Sequence, residues 1–447
     1  MKELAKPDAM LMKILPAQKL RPETKYVWSQ FTLPFACEGR DIICNTLTRQ
    51  IWGLDHPLGG HFTSSEIKAD EDLTTLMQSY FLIPEDKDEC SFYEGLSRIL
   101  RTLKKPKGIK GYTILPTLSC NARCVYCYEE GMKPATMSPE TVEQTVQYIL
   151  RTKIEGKIEI GWFGGEPLLG ESIIDRICER LQEEKIEYTS GMITNGSLLT
   201  ESVADKMAGL WKVTNVQISM DGAEPDYVVR KRFMTYRDTY RTVMQALNLL
   251  TERNISVSVR CNVDEDNFDG VPQFLSDLSA EIPKKEKVRV YLALLNAVRM
   301  GEKDLAMWRR VLDAGPLIRN AGFDNIQFSS RSAGFRIHHC MADTGSVVIS
   351  PDGSLYPCEH CPPGSRFGDV ANGITDEAAK YAFCRTDRTR EKCRKCPFLP
   401  DCTSFASCPV QDTHCREKRT LQVKHNLTRM INVSDAETQE DEQIPVC

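Results

Sequence analysis

The 447-residue sequence predicts an α/β fold built on a parallel sheet. Three observations lead there. Six β-rich stretches between residues 111 and 295 are mostly separated by helical patterns, which favours parallel strands joined by right-handed crossovers. Short polar or glycine-rich motifs follow four of those stretches, where parallel sheets place their chemistry. The 18 cysteines fall largely into two groups far apart in the chain.

The elements follow in order. From Tyr26, YVWSQFTLPFACEGRDIICNTLTRQIWGL reads as two strands and a helix. DEDLTTLMQSYFLIP, from Asp70, reads as an amphipathic helix, and SFYEGLSRILRTL, from Ser91, as another. A basic hinge, RTLKKPKGIKG, leads into the first sheet strand, GYTILPTL. SPETVEQTVQYILRT is a helix with Ser138 as N-cap and Pro139 at its first position. KIEIGWF, YTSGMIT, VTNVQIS, ISVSVRCNV and KVRVYLALL complete six strands. GGEP, TNG and SMDG follow the second, third and fourth, and the first runs into CNARCVYCYEEG.

Composition bounds the function. The chain is long enough for two or three domains with a substantial core. A net charge of −5 and a pI near 5.9 make no electrostatic case for nucleic acid. The opening MKELAKPDAMLMKILPAQKL has no apolar run of signal-peptide length, and no later stretch approaches the roughly 20 apolar residues that span a bilayer. A soluble, cytoplasmic protein with neither nucleic-acid nor membrane partners is expected. Grouped cysteines in that reducing compartment favour metal over disulfides.

Cys37, Cys44, Cys90, Cys178, Cys261 and Cys447 are scattered and read as core or surface thiols. Cys120, Cys124 and Cys127 form a compact trio. A second set runs Cys340, Cys358, Cys361, Cys384, Cys393, Cys396, Cys402, Cys408 and Cys415. A cubane iron–sulfur cluster takes four thiolates, so three leave one iron open to a ligand.

The C-x3-C-x2-C trio with the motifs after it resembles the radical S-adenosylmethionine superfamily, from Tyr112 to Cys415. The resemblance implies a partial (β/α)6 TIM-like barrel over residues 109–325. It also implies a [4Fe–4S] cluster on Cys120, Cys124 and Cys127 whose open iron chelates the amino and carboxylate groups of S-adenosylmethionine. By the same resemblance Gly164, Gly165, Glu166 and Pro167 meet the methionine amino group, glycine letting a ligand come close to bare backbone. Ser219 and Arg230 fall where relatives contact ribose and carboxylate; an Arg fork suits a carboxylate, and Arg232 is a neighbouring competitor. Thr194 and Asn195 line the site. Tyr126 packs near the adenine, with plain core packing as its other reading. Arg260 and Asn262 alternate on one strand face, toward the barrel interior or toward solvent. No catalytic side chain is assigned.

The order Cys340, Gly353, Cys358, then CRKCPFLPDCTSFASC and Cys415, resembles the SPASM extension of these enzymes, over residues 326–435. It implies two auxiliary [4Fe–4S] clusters, three clusters in all. Cys340, Cys358 and Cys408 would hold the first; Cys393, Cys396, Cys402 and Cys415 would hold the second. Five residues rather than the usual three precede Cys408, a departure from the family spacing. The first cluster lacks a clear fourth ligand. Cys361 is the first candidate, with Cys384, His360 or an open iron as alternatives. A pair of zinc ribbons is the competing reading of the region.

Residues 1–105 resemble the small winged-helix-like α+β leader-recognition domains of peptide-maturing enzymes, which take a peptide by strand addition. A barrel cover without ligand is the alternative. Residues 436–447 read as a disordered acidic tail. The implied reaction uses a 5′-deoxyadenosyl radical to take hydrogen from an unactivated carbon, in a radical SAM maturase acting on a ribosomally made precursor peptide with a leader. A cross-link from a cysteine sulfur to a peptide carbon is the leading expectation, and a carbon–carbon cross-link follows it. Anaerobic formylglycine generation and a non-catalytic electron carrier stand behind them. A flavodoxin or ferredoxin would supply electrons.

Overall fold

The structure, a computed structural model, describes residues 1–37, 39–103, 107–234, 238–295, 302–323, 345–361, 364–384, 391–401 and 415–441. The amino-terminal part begins with β1 (Lys2–Ala5), α1 (Ala9–Ile14), β2 (Lys25–Trp28), β3 (Thr32–Cys37), β4 (Arg40–Asn45) and β5 (Ile51–Leu54). Four strands thus replace the two strands and a helix expected from Tyr26 onward. The cause is double-sided burial. On β4, Ile42 faces a cluster with Phe35 and Ile51, while Ile43 faces another with Tyr26 and Phe62. A strand buried on both faces loses its period-two signal, so an apolar run no longer distinguishes strand from helix.

β1, β5, β4 and β3 lie side by side in one antiparallel sheet, in that order. β6 (His61–Thr63) and β7 (Leu82–Pro84) flank β2 in a second. Between them come α2 (Ser64–Ala69) and α3 (Glu71–Gln78), and α4 (Glu89–Leu103) follows. The amphipathic helix expected from Asp70 therefore ends at Gln78, and its apolar remainder is β7. The first three residues of the basic hinge belong to α4.

The six expected barrel strands are all present. They alternate as β8 (Gly111–Ile114), α5 (Pro139–Thr152), β9 (Ile158–Trp162), α6 (Glu171–Glu183), β10 (Tyr188–Thr194), α7 (Glu201–Ala208), β11 (Val213–Ser219), α8 (Glu224–Lys231), α9 (Thr239–Glu252), β12 (Ser256–Val263), α10 (Val271–Glu281) and β13 (Val288–Leu294). β8 to β13 pair in parallel and in sequence order. Ser138 caps α5 by accepting from the Thr141 amide, with Pro139 at the helix start. One sheet face is apolar and covered by helices: Ile158, Ile160 and Trp162 of β9, and Val257, Val259 and Cys261 of β12. Gly161, Ser258 and Arg260 lie on the opposite, more open face.

The sheet continues past β8. After α11 (Glu302–Asp313) and α12 (Gly315–Asn320), β14 (Ser346–Ile349) runs parallel to β8, with Ser346 beside Gly111 and Ile349 beside Ile114. β15 (Ser354–Tyr356), β16 (Gly368–Asp369) and β17 (Gly373–Ile374) extend it antiparallel to ten strands. β13 and β17 are its two ends, so the barrel stays open. A boundary at residues 325/326 therefore divides the polypeptide but not the sheet. α13 (Glu377–Cys384) and α14 (Cys415–Asp441) follow. α14 runs through residues 436–441, where a disordered tail was expected. Among the described residues no helix is long and apolar enough to cross a membrane.

Candidate active site

Residues 115–137 leave the C-terminal end of β8 and carry Cys120, Cys124 and Cys127. This loop is held from two sides. The Arg123 amide donates to the Lys231 carbonyl (3.1 Å), the Val125 amide to that of Arg230 (3.0 Å), and the Met234 amide to that of Asn121 (2.9 Å). On the other side, the amides of Gly165 and Glu166 donate to the carbonyls of Thr117 (3.2 Å) and Ser119 (2.9 Å). The end of α8 and the turn after β9 thus fix the cysteines through backbone.

All three thiols are half-buried and unpaired by disulfide. Burial pushes the Cys120 thiol up to about 11 and raises Cys124 and Cys127 as well, so binding metal must displace their protons. Cys120 Sγ accepts from the Ala122 amide at 3.4 Å. The Cys127 amide donates to the Cys124 carbonyl at 3.1 Å, closing a tight turn. The three sulfurs do not gather within 4.8 Å of one another. One tetrahedral ion with metal–sulfur bonds of about 2.3 Å cannot span a wider set, whereas a multi-iron cluster can. The soft donor set and its spread fit a cluster.

Gly164 and Gly165 press on the cysteine loop. A Cβ at Gly164 (φ +126°) would lie 2.3 Å from the Thr117 carbonyl oxygen, and one at Gly165 would lie 2.5 Å from that of Ser119. Close approach of two backbones already demands glycine here, apart from any ligand the turn would meet. Pro167 is buried at the start of a short turn. Glu166 is wholly buried and accepts from Thr194 Oγ1 (2.7 Å) and the amides of Asn195 (2.8 Å) and Leu168 (3.1 Å). Burial raises its carboxyl pKa despite these donors. Asn195 Nδ2 in turn donates to Asn121 Oδ1 at 2.8 Å, tying the end of β10 to the cysteine loop.

A second polar knot closes the other side. Lys231 Nζ donates to Ser219 Oγ (2.6 Å) and Tyr126 OH (2.9 Å) and lies 3.6 Å from Asp221 Oδ2, with both charged side chains at most 2% exposed. The Tyr126 hydroxyl donates to Asp221, and burial pushes its pKa upward. Asn262 Nδ2 bridges Tyr126 OH (3.0 Å) and Asp221 Oδ1 (2.8 Å), and Asn267 holds the Asp221 carbonyl (2.7 Å). Arg260 Nε donates to Asn262 Oδ1 (2.9 Å), so these two residues do share a face. Arg230 is buried with its fork on Asp264 (3.1 and 2.7 Å), while its Nε has no partner. Arg232, the competitor, is exposed in the left-handed region.

Residues 114–278 match the Radical SAM superfamily. The chain carries a Radical SAM domain. It is 23% identical over 363 residues, 73% of this chain and 74% of the relative, to the radical SAM cyclopropyl synthase TigE of Paramaledivibacter caminithermalis. Its fold is similar to anSMEcpe with bound AdoMet (TM-score 0.58, 18% identity, 73% of this chain and 99% of that one). It is also similar to Streptococcus suis SuiB bound to S-adenosylmethionine (TM-score 0.51, 14% identity, 87% and 99%). The structure thus has the radical SAM fold, a partial TIM barrel, around the matched Radical SAM domain.

Beyond the Radical SAM domain, the carboxy-terminal cysteines lie partly outside the described residues: Cys340, Cys402, Cys408 and Cys447 do. Cys384 ends α13 and Cys415 opens α14. Cys358 and Cys361 form a turn like that of the trio, the Cys361 amide donating to the Cys358 carbonyl at 3.0 Å; Cys393 and Cys396 repeat it at 2.9 Å. The first of these turns reaches the trio's loop, where the Tyr128 and His360 rings stand 4.3 Å apart. Lys231, Asp221, Asn267 and Asn121 are the site residues that sequence reasoning passed over. Asp221 sits inside SMDG and Lys231 beside Arg230, so position marked them; their shared burial became visible only in three dimensions.

Proposed function

We propose that the chain is a radical SAM peptide maturase that cross-links a ribosomally made precursor, joining a cysteine sulfur to a peptide carbon. The observation behind this reading is the contact of the trio's loop with a second cysteine turn, where the Tyr128 and His360 rings meet at 4.3 Å with a tilt of 38°. A radical centre and a thiophilic centre then flank one open barrel mouth. Cys120, Cys124 and Cys127 would hold a [4Fe–4S] cluster, which with S-adenosylmethionine supplies one-electron chemistry that takes hydrogen from carbon. Around it, Lys231 presents Ser219 and Tyr126 toward ribose and adenine. The unpartnered Nε of Arg230 offers a donor for the methionine carboxylate. Gly164 to Pro167, Thr194 and Asn195 frame the remaining side. The carboxy-terminal cysteines would hold two auxiliary clusters.

The precursor would enter from the amino-terminal unit. SuiB has been solved with its precursor peptide SuiA, and that structure covers 86% of this chain. Here β3 ends its sheet, and a groove of about 460 Å³ beside it is lined by Trp28, Phe35, Ile43 and Leu58. An exposed edge next to an apolar groove suits strand addition by a leader. Val125, Val228, Val229 and Met234 are exposed around the trio and would receive a flavodoxin or ferredoxin.

TigE's activity as a cyclopropyl synthase favours a carbon–carbon link as the second reading. Formylglycine formation is the third reading. The experiment is anaerobic turnover with a cysteine-containing precursor, followed by reduction, alkylation and mass spectrometry. A thioether makes the peptide lighter by about two mass units per link and removes one alkylatable thiol. The same mass loss with every thiol still alkylating replaces it with a carbon–carbon link. A hydrazide-reactive aldehyde overturns cross-linking altogether.

A further inference from the structure

We infer that Arg260 and Gln217 form a carboxylate-binding site on the open face of the barrel sheet, and that it takes an acidic residue of the peptide substrate. The register places them. Arg260 of β12 lies between Ser219 of β11 and Tyr291 of β13, and Gln217 precedes Ser219 by two residues, on the same face. Arg260 Nε donates to Asn262 Oδ1 at 2.9 Å, which orients the guanidinium and leaves its two terminal nitrogens to donate elsewhere. The Tyr291 hydroxyl donates to Gln217 Oε1 at 2.7 Å, so the Gln217 amide nitrogen remains a donor toward the open face. The Arg260 guanidinium stands beside the same hydroxyl, countering the upward push that burial gives the Tyr291 pKa. On β9 and β10 the paired Gly161 and Gly191 add no side chain, which keeps the face open on that side.

What this site lacks is a counter-ion. The neighbouring buried cations are matched, Arg230 by Asp264 and Lys231 by Asp221. Arg260 is half-buried, yet among the described residues no carboxylate pairs with it. Asn262 stands between Arg260 and Asp221, accepting from the first through Oδ1 and donating to Asp221 Oδ1 at 2.8 Å through Nδ2. A neutral amide thus orients the guanidinium without cancelling its charge. A half-buried cation is costly without a partner, and a carboxylate brought to it forms charge-assisted hydrogen bonds stronger than neutral ones. Ser219 and Arg230 already serve S-adenosylmethionine in the reading above, so the carboxylate for Arg260 is one that the substrate brings. Because Arg260 pairs in register with Ser219, the acidic residue anchors the peptide beside the cofactor's site.

The inference rests on the reading of the chain as a peptide-modifying enzyme, and the experiment separates the two claims. The full chain, reconstituted anaerobically with S-adenosylmethionine, is immobilised and offered a pool of synthetic cysteine-containing peptides with randomised flanks. Retained peptides are identified by mass spectrometry. Expected is an enrichment of Asp or Glu by about tenfold, lost in Arg260→Gln and weakened in Gln217→Leu. Arg260→Glu should reverse the preference and enrich Lys or Arg, a result that a merely structural arginine would not produce. Peptides retained without acidic enrichment, or enrichment that survives Arg260→Gln, overturn the carboxylate site alone. Isothermal titration with S-adenosylmethionine tests the other source of a carboxylate. If the parent shows no acidic enrichment while Arg260→Gln loses cofactor affinity, the guanidinium belongs to the methionine carboxylate and the site is overturned. Retention of no peptide overturns both claims. Should Arg260→Gln and Arg260→Glu fail to fold, Arg260→Lys keeps the charge without the fork; a weakened acidic preference in it and in Gln217→Leu supports the site, and an unchanged one overturns it.

Discussion

Cys124 and Lys231 show how single residues divide the work of the site. Cys124 closes the turn with Cys127 and offers one of three soft donors. Cys124→Ala should abolish formation of 5′-deoxyadenosine with dithionite and S-adenosylmethionine, yet leave roughly eight of about twelve irons per chain. Undiminished 5′-deoxyadenosine would remove the trio from the chemistry. Lys231 matters differently, because it is a buried cation between Ser219, Tyr126 and Asp221. Lys231→Met leaves the Asp221 carboxylate without its charge partner, so denaturant unfolding should register a loss of about 3 kcal/mol. Weaker S-adenosylmethionine binding should accompany it. A stability within experimental error of the parent would show that Asn262 and Asn267 suffice to satisfy Asp221.

Elements set where these residues can stand. The trio depends on two backbone clamps, from the end of α8 and from the Gly164–Gly165 turn. Helix-to-helix ties around the barrel are weaker. Arg180 of α6 donates to Glu143 of α5 at 3.0 and 3.2 Å, and this holds the Glu143 carboxyl down at about 2. A carboxylate depressed in the folded state stabilises fully above its ordinary value and loses that contribution as pH falls toward the depressed one. Glu143 is largely exposed, so solvent screening limits the effect to about 0.5 kcal/mol. Glu143→Gln should therefore lower thermal stability slightly at pH 7, and the difference should vanish between pH 4.5 and 2. A difference that persists at pH 2 would assign it to packing. The six barrel strands were legible as strands because each buries one face. β4, buried on both, was not.

At the scale of the molecule, the amino-terminal unit is built into the rest. Gln30 Nε2 donates to the Arg394 carbonyl (3.1 Å), Thr46 to the Pro397 carbonyl, and Asp88 pairs with Arg394 (3.2 Å). Leu399 packs in the same cluster as Leu11, Phe31, Leu47 and Tyr93. Those contacts brace the turn of Cys393 and Cys396. Deleting residues 1–103 should therefore do more than abolish peptide modification. Iron should fall by about four per chain, while the S-adenosylmethionine-dependent EPR signal of the trio remains. Full iron content in the truncated protein would show that the unit only recognises or covers. α14 reinforces the junction from the other side, Leu427 packing with Phe35, Ile42 and Ile51.

The sequence by itself determined the six barrel strands, their parallel order and the placing of Cys120, Cys124 and Cys127 at a strand end. Local rules are enough for these: period-two burial, capped helices between strands, and the short spacing of soft ligands. Only the tertiary structure decided what lies between them. The pairing of β14 with β8 joins residues more than 200 apart in the chain, and no local pattern encodes a partner strand. The Lys231–Asp221–Tyr126–Asn262 knot likewise draws on the trio's loop, the ends of β11 and β12, and α8. Polar residues on separate elements carry no sequence sign of mutual burial, because what allows them inside is a partner that only folding supplies.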